Sequence, residues 1–305
     1  MIKVPNNSER NWKVSALALA IANSMVIPSQ AAVITADGTT CTLVEAINSA
    51  NNDTDAASPG CVAGSGADTI NLGANQTFNS SASPYTALPT ITSQITLNGN
   101  NFRLRSTNAD LRLLKVAGGN LTINNLVIDD GSVTSENGGA LQMISNSTVT
   151  LNNVSITDGY SAYYGGGIDC SSSTLVMSSV TLGSNSAYYD GGAINSSGCN
   201  ITLNNSTVRF NRADYYGGAI KIGATDIFSA SSSLFTQNTA NSDGGTFFID
   251  GGSVSLTSST VTLSRSELGA GGALIAVNTG TKQVMITDTV FSQNKAQYYY
   301  GGGAL

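Results

Sequence analysis

The sequence of 305 residues contains no histidine. This absence excludes Ser-His-Asp triads, Cys-His dyads and ordinary zinc sites. Charged residues make up only 10% of the chain, and leucine, glutamate, lysine and arginine are too sparse for a helical protein. A net charge of −6 and a pI near 4.5 leave no basic surface, so nucleic acid is not expected as a partner.

Long apolar runs are also missing, except near the N-terminus. The basic residues Lys3, Arg10 and Lys13 accompany an apolar run over 14–22, and a small-x-small site ends at Ala31. This pattern predicts a cleaved signal peptide over 1–31, with a short buried helix as the alternative. No later stretch is long enough for a membrane helix. We therefore expect a secreted or surface-attached mature chain with no transmembrane helix.

What the chain has in abundance is glycine, with 33 residues, together with serine, threonine and asparagine. A double glycine followed by apolar residues recurs along most of the sequence. Successive copies lie 26 or 27 residues apart, with a final interval of 31, and end at Leu141, Ile168, Ile194, Ile220, Phe247, Leu274 and Leu305. A fixed period of this length indicates a stacked repeat architecture, in which each repeat contacts only its neighbours.

Each repeat also carries an apolar pattern typical of strands. Apolar residues stand two apart, as in Ile201 and Leu203, and another follows at Val208 after Asn204-Asn205 or its serine equivalent. Strict alternation breaks at that polar pair, which predicts a corner. A third strand follows the double glycine. The pattern predicts an all-β parallel β-helix of eight to nine coils, with three short strands per coil and asparagine ladders at the corners. An antiparallel sandwich, the structural alternative, does not predict a constant period.

Residues 32–90 lack the full repeat and are predicted to form a small N-terminal cap. Leu43, Ala46 and Ile47 recur at helical spacing, and Thr42 with Glu45 forms the pattern of a capping box. We expect a short amphipathic helix that seals the open end of the stack, as terminal repeats must. The β-helix repeats are assigned to 91–305.

The four cysteines fit an oxidising compartment. Cys41 and Cys61 bracket a polar loop, and we expect them to be paired. Cys170 and Cys199 lie in adjacent repeats but out of register, because Cys199 aligns with Ser173. Three extended residues span about 10 Å, more than a disulfide tolerates. A turn after Cys170 would shorten this distance, so the second pair stays open.

Two of these patterns resemble known families. Repeated Gly-Gly-Ala-Ile/Leu combined with Phe-x-x-Asn, complete at Phe235–Asn238 and Phe291–Asn294, resembles the polymorphic outer membrane protein repeats of bacterial surface proteins. The Cys41–Asn51 segment resembles the Cys-Ser-Leu-Arg-Glu-Ala domain of secreted β-helix proteins, departing from it at Thr42 and Val44.

The resemblance implies a right-handed β-helix on the cell outer membrane surface or secreted, acting as an adhesin without catalysis. Host or matrix surface proteins or glycans are the partners it implies. Members of the family normally end in a β-barrel translocator. We expect the chain to be a fragment of a longer surface protein, with outer-membrane anchoring only through a region beyond residue 305.

The enzymatic alternative is a carbohydrate-active β-helix, either a polysaccharide lyase or a glycoside hydrolase. Asp129-Asp130-Gly131 resembles the paired carboxylates of pectin-degrading hydrolases. Its usual Gly-His-Gly and Arg-x-Lys partners are missing, and the pair is interpreted as a corner that faces solvent. The sequence therefore names no catalytic residue, and an irregular stretch such as 133–138 is where an enzymatic site would lie.

Tyrosine pairs precede three of the double glycines, and Tyr298-Tyr299-Tyr300 precedes the last one. Equivalent positions line up in a parallel stack, so a tyrosine ladder is expected next to a glycine-floored groove. This ladder is either a binding stripe or a packing device that shields glycine backbone. The candidate binding residues are Tyr163, Tyr164, Tyr188, Tyr189, Tyr215 and Tyr216. No cofactor is required, although Asp190, Asp214 and Asp243 flank the same corner and would suit Ca²⁺ between coils.

Overall fold

The chain folds as stacked parallel strands that form a β-solenoid of about eight turns, as the period predicted. The computed structural model describes residues 31–53, 59–278, 280, 282–297 and 302–303. The predicted signal peptide therefore lies outside the described residues, apart from Ala31. No helix in these ranges is long and apolar enough to cross a membrane.

Within the described residues, the strands form three parallel sheets that run along the stack. The first, called the long sheet, has 17 strands. They are β1 (Val33–Ala36), β2 (Asp68–Leu72), β3 (Gln76–Phe78), β4 (Gln94–Asn98), β5 (Arg103–Ser106), β7 (Asn120–Asp129), β10 (Thr148–Thr157), β13 (Thr174–Ser178), β14 (Thr181–Gly183), β17 (Asn200–Asn204), β18 (Thr207–Arg209), β21 (Ile227–Ser231), β22 (Leu234–Thr236), β25 (Ser253–Thr257), β26 (Thr260–Thr262), β29 (Val284–Thr287) and β30 (Val290–Ser292).

The other two sheets have seven strands each and flank the glycine-rich turn. The turn sheet, which precedes the turn, contains β8 (Ser132–Val133), β11 (Tyr160–Ser161), β15 (Ser186–Ala187), β19 (Arg212–Ala213), β23 (Thr239–Ala240), β27 (Arg265–Ser266) and β31 (Lys295–Ala296). The glycine sheet, which follows it, contains β6 (Leu114–Ala117), β9 (Leu141–Ile144), β12 (Ile168–Ser171), β16 (Ile194–Ser197), β20 (Ile220–Ile222), β24 (Phe247–Asp250) and β28 (Leu274–Val277).

The predicted corners are present in the backbone. The second residue of each polar pair is left-handed, with φ of +50° at Asn205 and +50° at Ser232. A second left-handed corner follows each of these, at Ser184, Phe210 and Leu263 for example. The turn sheet begins two residues after this second corner, an element that the apolar pattern did not predict. Two corners in each coil turn the chain so that alternating side chains can point inward on all three sheets.

The interior consists of apolar ladders in strict register. Leu151 of β10 pairs with Ile123 of β7 and Met177 of β13, and all three are completely buried. Burying one such side chain contributes about 1.5–3 kcal/mol. Because the pairing repeats from coil to coil, the ladders form one continuous core along the stack.

Asparagine ladders, also predicted, satisfy buried polar groups at the corners. The side-chain amide of Asn211 donates to Leu182 O and to Asn238 Oδ1, at 3.0 Å in each case. One coil breaks this ladder with Ser264, and there the hydroxyl of Thr246 donates to Ser264 Oγ at 2.6 Å. Thr246 occupies the position of alanine in neighbouring repeats. The coil that has serine in place of the ladder asparagine is therefore paired with a threonine hydroxyl that neighbouring repeats lack.

The predicted helix α1 spans Leu43–Asn52 and is confirmed with its capping box between Thr42 and Glu45. Its buried face joins the solenoid core and contacts β1, β2 and β4. The predicted disulfide between Cys41 and Cys61 is also present, with a Cα–Cα distance of 4.9 Å. The long sheet extends into residues 32–90 through β1, β2 and β3, so this segment contributes strands to the stack as well as the helix.

The pairing that the sequence left open, Cys170 with Cys199, is formed in the structure. The chain bends after β12, where Ser172 has a φ of +46°. This turn reduces the Cα–Cα distance to 6.3 Å, within the range a disulfide accepts. Both cysteines are fully buried, so the bond ties two adjacent coils together inside the core.

Candidate functional site

Three consecutive coils carry the tyrosine-bearing turns in register. The backbone N–H of Tyr189 donates to Tyr163 O at 2.9 Å, and that of Tyr215 donates to Tyr189 O at 3.0 Å. Tyr163, Tyr189 and Tyr215 therefore occupy equivalent positions, as the sequence predicted. Neighbouring rings in this column have centroids 5.9 and 5.5 Å apart.

The other predicted tyrosines extend this column sideways into one aromatic surface, called the tyrosine ladder. Tyr164 contacts Tyr189, and Tyr188 contacts both Tyr189 and Tyr215. Tyr216 lies against Tyr215 and stacks on Phe248 with centroids 4.4 Å apart. Sequence reasoning missed Phe248, which belongs to a strand of the glycine sheet and not to a turn.

Part of the ladder is open to solvent. The exposed fractions of Tyr163, Tyr164, Tyr188 and Tyr215 lie between 36% and 46%, whereas Tyr189 and Tyr216 are half-buried. The double glycine lets the turns stack this closely. A Cβ on Gly192 would lie 2.3 Å from Gly218 O and 2.4 Å from Arg212 O.

A polar groove of about 370 Å³ lies between the tyrosine turns and the outer face of the glycine sheet. One wall is formed by the residues just before each double glycine, and the other by one outward column of the sheet. The lining residues are Asn137, Tyr164 and Asp190 on the turn side and Asp169, Ser171, Asn195, Ser197 and Lys221 on the sheet side. Register aligns Asp169 of β12 with Asn195 of β16 and Lys221 of β20.

Asp169 lies at the floor of the groove with only 4% of its surface exposed. Burial raises the pKa of its carboxyl to about 6, although amide hydrogen bonds from Asn195, Asn137 and Gln142 and the charge of Arg112 oppose the shift. The Asn195 amide donates to Asp169 Oδ1 at 2.8 Å. A carboxyl that titrates near neutrality in a groove is the kind of group found at functional sites.

Two further residues define the N-terminal end of the groove. Gln142 of β9 pairs with Asp169 in register, and its Oε1 is buried without a hydrogen-bond partner. Arg112 is 1% exposed and donates to the carbonyls of Asn137 and Gly138 at 2.5 and 2.8 Å. Burial lowers the pKa of Arg112 to about 10, so the guanidinium stays charged and holds the Asn137 backbone in place.

Asp190 lies on the opposite wall, between Tyr164 and Tyr216 in the stack of turns. Burial raises the pKa of the Asp190 carboxyl. Two effects oppose this rise: the hydrogen bond that Tyr216 N donates to Asp190 Oδ1 at 3.2 Å, and the charge of Lys221. Burial and the charge of Asp190 raise the pKa of the Tyr164 phenol in turn. Lys221 lies at the other end of the groove, next to the stacked pair of Tyr216 and Phe248.

The paired acids singled out in the sequence form a corner, as interpreted, but Asp129 is buried there and does not face solvent. Asp130 is left-handed, with a φ of +56°, and Asp129 pairs with Thr157 in the long sheet. Asp129 bonds Arg103 at 3.1 Å and Asp130 bonds Arg105 at 2.6 Å. Their oxygens and one of Asp158 lie within 4.8 Å of one another. Each of the two paired acids is thus engaged by its own arginine.

The three acids named for Ca²⁺ do not form such a group. Asp190 accepts from Tyr216 N, Asp214 accepts from the Asn241 amide at 2.9 Å, and Asp243 accepts from Ala270 N at 2.6 Å. Within the described residues, the group of three acids whose oxygens all lie within 4.8 Å of one another is that of the Asp129 corner. Calcium binding by Asp190, Asp214 and Asp243 stays an untested prediction.

Sequence reasoning predicted the ladder and a glycine-floored groove beside it, but the groove is lined by polar residues of the glycine sheet and contains no glycine among its lining residues. The tyrosines repeat with the coil period, whereas the outward column of the glycine sheet changes from Gln142 to Asp169, Asn195 and Lys221. An available signal was the polar residue that directly follows the leucine or isoleucine after four of the double glycines. Comparison of the chain with family models, with curated proteins and with solved structures gave no significant match.

Proposed function

We propose that the protein is an exported surface β-helix that binds a host or matrix glycan through its tyrosine ladder, without catalysis. The observation that carries this proposal is the juxtaposition of exposed, contiguous tyrosine rings with a polar groove. Sugar rings present apolar C–H faces and many hydroxyl groups. Tyrosine faces suit the former because their π-systems are electron-rich, and carboxylate and amide groups suit the latter.

The location of the site on the solenoid supports the same proposal. The groove crosses several coils, each about 4.8 Å thick, so the tyrosine-bearing turns that flank it recur along one direction. An extended oligosaccharide has the same one-dimensional repetition. Export and surface location are supported by the signal-peptide pattern and by the resemblance to the surface repeat family.

The decisive experiment is glycan binding by the variant Tyr188→Ala/Tyr215→Ala. Both rings are exposed and contact each other, at a centroid distance of 6.2 Å. We expect a loss of about tenfold in affinity for each ring, measured by glycan array and titration calorimetry. Tyr160→Ala is the matched control, because Tyr160 is 39% exposed but outside the ladder. Unchanged glycan binding by the double variant, with its fold intact by circular dichroism, would overturn the proposal.

The second candidate function is a carbohydrate-active enzyme, and one observation favours it. Asp169 and Asp190 face the same groove, and both carboxyls have raised pKa values. Two such acids can act as general acid and general base in glycosidic cleavage. Release of reducing sugar from a polysaccharide panel, abolished by Asp169→Asn but retained by Asp129→Asn, would favour the enzyme. Binding without product release favours the adhesin.

A further inference from the structure

The chemistry of the polar groove selects among glycans. We propose that it accepts the protonated amine of an amino sugar between Asp169 and Asp190, so that the ligand is an amine-bearing glycan. This inference rests on the proposed glycan binding and names the substrate class of the same site.

The two carboxylates come from opposite walls of the groove. Asp169 rises from β12, and Asp190 from the turn before β16. Register places Asn195, the strand residue of the Asp190 coil, directly beside Asp169. An ammonium group between the walls would donate to both acids, and charge-assisted bonds of this kind are stronger than neutral ones.

An unpaired acceptor beside the groove also calls for a donor. The head group of Gln142 hydrogen-bonds Asp169, while its Oε1 is buried and unpartnered among the described residues. Burying a hydrogen-bond acceptor that has no donor costs free energy. A ligand amine or hydroxyl at Asp169 would supply the missing hydrogen.

The protein's own cations act on the two acids but do not cancel the effect of burial on their pKa values. Arg112 is engaged by the carbonyls of Asn137 and Gly138 and lies 3.8 Å from Glu136. Lys221 is two strands from Asp169 in the sheet, at the far end of the groove. Burial raises the pKa values of Asp169 and Asp190, and the charges of Arg112 on the first and Lys221 on the second oppose that shift without reversing it.

The tyrosine that lines the groove also favours a positively charged ligand. The ring of Tyr164 lines the groove next to Asp190, and the face of a tyrosine ring attracts cations. The acids Asp169 and Asp190 would in contrast repel the carboxylates of acidic polysaccharides. The groove is therefore expected to discriminate by ligand charge, while the exposed tyrosine ladder contacts sugars of either kind.

The test compares two probes of equal length at neutral pH: glucosamine oligomers and their N-acetylated counterparts. We expect the amine form to bind about tenfold more tightly, because acetylation removes the charged donor. Asp190→Asn keeps an oxygen for the Tyr216 N–H and should abolish the preference. Lys221→Met should increase it, since a competing positive charge is removed from the groove.

The outcomes separate this inference from the proposed function. If both probes bind equally well and binding depends on Tyr188 and Tyr215, the amine site is wrong and glycan binding stands. If neither probe nor any other glycan binds, both proposals fail. A preference for the amine form that persists in Asp190→Asn and in Asp169→Asn would place the amine elsewhere and overturn the inference.

Discussion

At the scale of single residues, the buried carboxyl of Asp169 is an unfavourable group, and it lies in the groove beside the tyrosine ladder. Asp169 is nearly fully buried, and the hydrogen bonds from three amides do not offset the cost of desolvating its charge. Natural proteins keep such groups where function requires them, at the expense of stability. Asp169 is therefore a residue whose burial should be visible in the pH dependence of unfolding.

We predict that Asp169→Asn removes a pH-dependent loss of stability. The folded pKa is about 6 and the unfolded value is near 3.9, so the folded state binds the extra proton between these values. The contribution of Asp169 to the free energy of unfolding thus falls as the pH rises through this window, by about 3 kcal/mol in all.

Unfolding midpoints measured from a pH below the unfolded pKa up to neutral pH give the check. Wild type and variant should agree at the acid end, and the variant should be more stable at neutral pH. Ser171→Ala is the matched control, since Ser171 lines the groove but does not titrate. Parallel curves for wild type and Asp169→Asn would contradict the prediction.

At the scale of elements, the double glycine is what permits one tyrosine turn to lie on the next. The first glycine of each pair is left-handed, as at Gly191 with a φ of +66°. The second glycine packs directly on backbone atoms of the following coil. The double glycine therefore recurs in the sequence because a side chain at these positions would prevent the coils from stacking this closely.

Gly192→Ala is accordingly expected to destabilise the protein by about 3 kcal/mol, because its Cβ would meet carbonyl oxygens that cannot move independently. Gly183→Ala is the control, since its nearest neighbours are side-chain atoms, the closest at 3.6 Å. Urea unfolding of the two variants distinguishes them. Equal stability would show that the turns can separate without cost.

At the scale of the whole molecule, the stability of a solenoid is the sum of the stabilities of its coils and of the interfaces between neighbouring coils. A disulfide is therefore expected to stabilise mainly the coils that it joins. The Cys170–Cys199 bond closes a loop with a sequence separation of 29 inside the core. The Cys41–Cys61 bond instead closes a loop with a separation of 20 that contains α1.

Replacing Cys170 and Cys199 by alanine should reduce the free energy of opening these coils by between about 3 and 4 kcal/mol. Hydrogen exchange followed by mass spectrometry is the measurement, with faster exchange expected in β12, β13, β16 and β17. The matched variant Cys41→Ala/Cys61→Ala should accelerate exchange around α1 instead. Uniform acceleration along the stack in both variants would contradict local action.

The solenoid was predictable from the sequence because its determinants are local and repeated. Apolar alternation, the polar pair at each corner and the glycine pair recur with the coil period, and each has one structural meaning. The pairing of Cys170 with Cys199 was not decidable, since it depends on the bend at Ser172. The turn-sheet strands were missed because two residues are too short for a pattern.

The sequence by itself determined the parallel stack, the corners, the capped helix and the line of tyrosines, because periodic residues in a parallel stack must align. Only the tertiary structure decided that Asp169, Asp190 and Lys221 line the same groove, and that Gln142 pairs with Asp169 in register. These residues follow no period. Their burial, and therefore their pKa values and ligand preference, comes from how closely the turn lies over the neighbouring sheet, a distance that no local pattern encodes.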